Sequence, residues 1–252
     1  MIILTVEALK DYCHCPNLYE KKYVSQKKPE RNKSSSHYDG HSHVVNEAQD
    51  AIKELTGFYF HRLMDDRQVR YETLYNRWEN KWWGKYSGRD IMEYVQPVSR
   101  ANRVRINTNF INHLPKFHKQ FHKPFSPIAV DKEVLFPHES IVLTSNIEMA
   151  YRTDENIVRI VKFLASRISP GKPERDIDLI AQACGWMLHE GDDKVEVAYY
   201  CMLSPDEYEA FTVGTVERRH MNSLARIIKA FVAQELAPSD DCAGCEYTCE
   251  VQ

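Results

Sequence analysis

The chain has 252 residues, 43% hydrophobic and 11% aromatic, enough to bury one sizeable core without requiring a second domain. Its 33 Lys and Arg against 36 Asp and Glu leave a formal charge of −3, which excludes a globally basic nucleic-acid coat; any such binding has to use a local patch. No apolar stretch approaches the roughly 18 residues of a membrane span, and MIILTVEALKDYCHCP runs into charge without a signal-peptide pattern, so the expectation is a soluble, cytoplasmic protein with no membrane partner.

Thr5 suits an N-cap, and Leu9, Tyr12 and Cys13 share one face of a first helix that Pro16 interrupts. Leu18, Tyr19 and Tyr23 continue in helical spacing. SQKKPERNKSSS is polar and charged and reads as a mobile surface loop. From Gly40, HSHVVNEAQDAIKELTGFYFHRLM keeps helical periodicity, and 66–123 is mostly helical, with an aromatic cluster at Trp78, Trp82 and Trp83.

The pattern then turns to β: PIAVDKEVLFPH, SIVLTSNIEMAYR and NIVRIVKFLA, the last two separated by the turn-like TDEN. After RISPGKPER come an amphipathic helix, DIDLIAQACGWMLHE, and a strand, KVEVAYYCML. Ser204 and Pro205 open a helical region to about residue 236, broken once near Val213 to Thr215, before the tail APSDDCAGCEYTCEVQ. This order predicts an α/β fold with helices covering a small mixed sheet. The expected layout is one domain over 1–252, with a helical insertion at about 44–125, a core at about 126–236 and a cysteine cluster at 237–252.

Seven cysteines, an odd number, do not suit a fully paired disulfide framework. Cys184 and Cys201 sit among apolar neighbours and read as buried, inert thiols. The other five crowd the two ends. Cys242, Cys245 and Cys249 form C-x2-C-x3-C, a spacing that converges thiolates on one soft metal or on three corners of an iron-sulfur cluster. A fourth ligand has to come from elsewhere, and Cys15, Cys13 and His14 are on offer; four cysteines also satisfy zinc.

LKDYCHCPNLYEKKY resembles the opening helix of RecB-like nucleases of the PD-(D/E)XK superfamily, in the iron-sulfur branch that includes CRISPR-associated RecB-like exonucleases and AddB-type helicase-nuclease subunits. That branch places one cysteine before a proline in the first helix and three at the extreme C-terminus, so the resemblance implies a 4Fe-4S cluster on Cys15, Cys242, Cys245 and Cys249 that clasps the two chain ends. The branch more often has C-x2-C-x5-C in its tail; the x3 spacing here departs from it and keeps zinc as the alternative.

The resemblance also implies an active-site order: a G-x-x-H helix step, an acid closing a G-x-I-D strand, a D/E-x-K strand and a Q-x-x-x-Y helix. Gly40-His41-Ser42-His43 matches the first, with His43 as metal ligand. In SNIEMAYR, Glu148 stands where the family has aspartate, with Ser145 near its glycine. The third element departs: one register of VKFLASR puts Lys162 at the acidic position and Leu164 at the lysine position, and a shift of two keeps Lys162 as the lysine but leaves Ile160 as the acid. Either lacks a carboxylate. For the helix, Gln182 with Trp186 gives Q-x-x-x-aromatic, while the other alignment replaces the glutamine by Asp178.

A lysine where a cation should bind repels that cation, so two-metal hydrolysis is expected to fail. In the helical insertion Arg100, Arg103, Arg105, Lys116, Lys119 and Lys123, interleaved with Phe117, Phe121 and Phe125, form a candidate nucleic-acid patch, as well as an ordinary amphipathic face. The combined expectation is a catalytically impaired RecB-like protein that binds DNA or a nucleic-acid-processing partner. Its alternatives are an active Mg- or Mn-dependent exonuclease that takes the missing carboxylate from Glu133, Asp131 or Asp176, and a scaffold subunit contacting protein only.

Overall fold

The structure, a computed structural model, describes residues 2–24, 40–84, 97–122, 124–205 and 209–233. The polar loop read at 25–36 and the cysteine-bearing tail lie outside the described residues. The elements in chain order are β1 (Ile2–Thr5), α1 (Val6–His14), α2 (Pro16–Tyr19) with a π-helical turn (Glu20–Val24), α3 (Gly40–Met64), α4 (Tyr71–Trp83) and α5 (Pro97–Phe121). There follow β2 (Ala129–His138), β3 (Ile141–Arg152), β4 (Val158–Leu164), α6 (Ile177–Glu190), β5 (Lys194–Cys201), β6 (Phe211–Glu217) and α7 (Arg219–Ala233). Among the described residues no helix is long and apolar enough to cross a membrane.

The fold is mixed α/β: among the described residues six strands form one mixed sheet with helices on both faces. Two apolar clusters show the layering. Over one face, α3, α4 and α5 pack Ile52, Phe60, Trp78, Phe110 and Phe117 against Val161, Phe163 and Tyr200. Over the other, α1, α6 and α7 pack Leu9, Leu179, Leu224 and Ile228 against Ile147, Ile160 and Val197. β5, covered on both sides, is accordingly an almost unbroken buried run.

Two strands differ from the sequence expectation. Ile2–Thr5 pairs parallel with Ile141–Thr144, and Phe211–Glu217, placed within a helical stretch by sequence, pairs antiparallel with β5. The second has a local reason: FTVGTVE is rich in β-branched residues, and the free edge of β5 gives it a ladder. Thr5 caps α1 as expected, its hydroxyl accepting from the Ala8 N–H at 3.2 Å.

β3 is central. β2 pairs along it antiparallel from Ile141 to Ala150, so its other two partners must share the opposite edge: β1 at Ile141–Thr144 and β4 at Met149–Arg152. Between them, residues 145–148 of β3 face a fork where β1 turns into α1 and β4 splays away. The β2–β3 ladder also skips the pair Asp131 and Glu148, where Asp131 takes a left-handed backbone (φ 48°). Side-chain parity inverts there: Ile147 and Ala150, three residues apart, both face the α6 side.

α6 lies tightly on β2. A methyl added at Gly185 would stand 3.0 Å from Val134 Cβ and 3.2 Å from the Leu135 carbonyl. Gly185→Ala is therefore expected to cost about 1–3 kcal/mol by overpacking, read in urea as a lower unfolding midpoint at unchanged slope.

Candidate functional site

The fork is lined from β3, β4, β5, α1 and α6. β4 alternates between the two layers, with Val161 and Phe163 facing α3–α5 and Ile160 facing α6; Lys162 shares the face of Ile160 and points at the start of α6. Its Nζ lies 2.7 Å from Asp178 Oδ2 and 3.2 Å from Asp176 Oδ2. Asp176 is also the N-cap of α6, Oδ1 accepting from the Asp178 N–H at 3.0 Å. It further receives the Tyr199 hydroxyl at 2.9 Å from β5 and lies 3.5 Å from Lys10 Nζ on α1. Asp178 Oδ1 accepts from Ser145 Oγ at 2.8 Å and Gln182 Nε2 at 3.1 Å, and Gln182 reaches on to the Asn146 carbonyl on the open edge of β3.

The electrostatics follow from this geometry. Burial works against the Lys162 ammonium, but Asp178 and Asp176 outweigh it and raise its pKa. Burial likewise opposes the Asp176 carboxylate, yet Lys162, Lys10 and the Asp178 N–H hold it below its ordinary value, aided by the positive end of α6. Glu148 is the opposite case: burial raises its pKa over the lowering effects of the Phe163 N–H, Lys53 and Lys162. Its Oε2 accepts the Phe163 N–H at 2.9 Å, bridging the two arms of the fork. Gln49 of α3 completes that edge of β4, donating to the Phe163 carbonyl at 2.6 Å and accepting the Ala165 N–H at 2.8 Å. On the α3 side an open groove of about 560 Å³ is lined by Lys53, Gly57, His61 and Asp131 among alternating charges.

Three of the four sequence-predicted site residues, Glu148, Lys162 and Gln182, thus come together at the fork. His43 lies in the first turn of α3, and its side chain is outside the described residues. Of the residues offered by the two alignments of the α6 motif, Asp178 and Gln182 lie together at the fork, while Trp186 lies one turn along, donating to Asp192 and stacking under Lys132. Ile160, two residues before Lys162 on the same face, is wholly buried in apolar contacts. Sequence reasoning missed Lys10, Tyr199 and Gln49; they lie on other elements, and nothing in their local sequence signals them. Among the described residues no group of three or more His, Cys, Asp or Glu is arranged to hold a metal ion.

Cys15, the C-cap of α1, is buried. Cys242, Cys245 and Cys249 lie outside the described residues. The last turn of α7, however, packs onto the helices around Cys15: Phe231 meets Tyr12 at 4.7 Å and Tyr19 at 5.1 Å between ring centroids, both edge-on. Cys184 and Cys201 are buried as expected, and burial pushes both thiols up, Cys184 to about 12 and Cys201 to about 11.

The α5 patch is only partly a surface. Arg103 is 2% exposed; it pairs with Glu47, donates to the Trp82 carbonyl at 3.2 Å and stacks over the Trp82 ring at 4.4 Å. Locked there, it cannot meet a phosphate. Phe117 and Phe121 are core residues, leaving none of their faces for bases. Arg105 and Lys119 are exposed, Arg100 and Lys116 half-buried, and Lys123 lies outside the described residues.

No family model and no curated protein matches the chain. Among solved structures it is similar to the crystal structure of SSO0001, at 14% identity over 66% of this chain and 76% of that one, with a TM-score of 0.35. A likeness at that level carries no functional argument.

Two substitutions test the electrostatics. Because the folded-state pKa of Glu148 is raised, its contribution is fully present below the ordinary glutamate value and is lost as pH rises through the raised one. Urea unfolding should therefore find Glu148→Gln close to the parent near pH ~4 and more stable than it near pH ~8. Lys162→Ala leaves Asp176 and Asp178 facing each other without their cation and should cost about 3 kcal/mol.

Proposed function

We propose that this chain is a RecB-like nuclease-fold protein that has exchanged hydrolysis for binding, holding DNA or a nucleic-acid-processing partner on a fold clasped at its ends by a thiolate metal centre. The observation that carries the reading is the Lys162 ammonium bonded to both Asp176 and Asp178 at the fork. A tethered positive charge stands among the carboxylates that a divalent cation would need, and a cation brought beside it is repelled. The other carboxylate, Glu148, is committed to the Phe163 N–H, and burial raises its pKa. The position two residues before Lys162, where the resembled strand carries an acid, is the apolar Ile160. A three-stranded antiparallel run, a crossover helix and a parallel strand, in the order β2, β3, β4, α6, β5, are in keeping with the superfamily core.

The metal centre is supported from the α1 end. Cys15 is buried, and Phe231, two residues before the end of α7, sits on the rings flanking it. From Ala233 to Cys242 is nine residues, an extended reach of roughly 30 Å, so the tail thiols can return to Cys15. The residues that would hold the group are Cys15, Cys242, Cys245 and Cys249, as 4Fe-4S or zinc. Bound there, it would supply a cross-link closing nearly the whole chain into one loop. The exposed Arg105 and Lys119 of α5 are the members of the basic set best placed to meet phosphate.

The test uses anaerobically purified protein and end-labelled single- and double-stranded DNA with Mg or Mn. DNA retained at low salt and left intact is the expected outcome, together with iron and sulfide and a broad blue-violet absorbance, or one zinc per chain. Metal-dependent degradation that Glu148→Ala abolishes would instead make the protein an exonuclease that has recruited Asp176. Failure to retain DNA, with a stable complex formed by a second protein, would make it a scaffold.

A further inference from the structure

An open sheet edge presents a row of backbone N–H and C=O groups on which another extended chain can pair, and proteins usually block it. Among the described residues every rim of this sheet but one carries such a block. β1 is only four residues long. β2 is kinked by the left-handed Asp131 and holds Lys132 and Pro137. The rim of β4 is filled by Gln49. β6 has none of these devices: FTVGTVE contains no proline, no lysine and no break in its register with β5, and it ends the strand order.

The Cys201 N–H donates to the Ala210 carbonyl at 2.9 Å. Because paired residues alternate along an antiparallel ladder, Thr212, Gly214 and Val216 turn their backbone groups toward β5, and Phe211, Val213, Thr215 and Glu217 turn theirs outward. His220 of α7 takes the outward N–H of Glu217 at 3.0 Å. The outward groups of Val213 and Thr215 meet no partner among the described residues. The side chains of both are exposed, Val213 at 42%, while Glu174 packs over Gly214 on the opposite face. The charges flanking the strand are of opposite sign at its two ends, with Glu209 before it and Arg218 and Arg219 after it. An antiparallel neighbour of the same sequence therefore sets Glu209 of each copy beside the arginines of the other, whereas a parallel one would oppose like charges.

We propose that β6 is a dimerisation edge on which a second copy of this chain pairs. The two strands run antiparallel about a two-fold axis at Gly214, and Val213 of each copy exchanges N–H···O=C bonds with Thr215 of the other. In this register the outward-turned residues oppose each other and share a face of the continued sheet, which also covers the exposed Val213. Pairing about a two-fold closes on itself, so the product is a dimer and not a filament. The proposal is independent of the nuclease-fold reading.

Sedimentation velocity on the parent from about 1 to about 200 µM is expected to show the 29.5 kDa chain giving way to a species of twice that mass. Val213→Lys installs an edge-blocking charge, and Thr215→Pro removes an outward donor without touching the ladder to β5. Each should weaken association about tenfold or more, because each change occurs twice across the axis; at low concentration the urea midpoint of Val213→Lys should match the parent. Glu209→Lys and the double variant Arg218→Glu, Arg219→Glu should each associate more weakly than the parent, and an equimolar mixture of the two should recover a heterodimer as opposite charges meet again. A parent that stays monomeric throughout overturns the proposal. So does a dimer that survives both Val213→Lys and Thr215→Pro, or a mixture no more associated than its two components.

Discussion

The ammonium of Lys162, held between Asp176 and Asp178, is the interaction on which the arrangement of the fork depends. Three charges with little exposure are costly to desolvate, and they persist because their hydrogen bonds are closed: Ser145, Gln182, Tyr199 and Lys10 occupy the remaining positions on the two carboxylates. Attraction between opposite charges at such separations is worth several kcal/mol in a partly buried site. It also does geometric work, because Asp176 caps α6 while Lys162 belongs to β4, so the start of the helix is fixed over the end of the strand. The same hydrogen bonds engage most of the lone pairs of the two carboxylates.

α1 joins this site to the region around Cys15. Within nine residues it presents Lys10 to Asp176 and Tyr12 to Phe231, and it ends on a buried cysteine. A helix this short gains little from propensity alone and depends on its contacts. Its position is therefore set by the charge cluster on one side and by the packing of α7 on the other, which ties the geometry of the fork to that packing.

The parts legible in the sequence were those with a local signature. Alternation marked β2, β3 and β4, and the N-cap Thr5 and the apolar stripe of α6 marked their helices. Glu148, Lys162 and Gln182 each sit in a recognisable stretch, and their side chains lie near one another. What was hidden is non-local. The fork arises because β1 and β4 share one edge of β3, and no single segment encodes it. The parity inversion at Asp131 and Glu148 defeats a simple reading of which β3 side chains face which layer. Lys162 was read against a missing acid on its own strand, whereas its carboxylates come from the cap and first turn of a helix 14 and 16 residues on. Arg103 looked like part of a basic surface because charge alone does not reveal that Glu47 and Trp82 enclose it.

The carboxamide of Gln49 has a kinetic consequence. It fills both a donor and an acceptor position on the open edge of β4, at Phe163 and Ala165, from 114 and 116 residues away in the chain. Those bonds cannot form until β4 has been laid down and α3 has docked upon it, and contacts of such long separation carry a high closure entropy. Until α3 docks, this rim of β4 keeps an unpaired carbonyl and N–H, an edge on which any extended segment can pair.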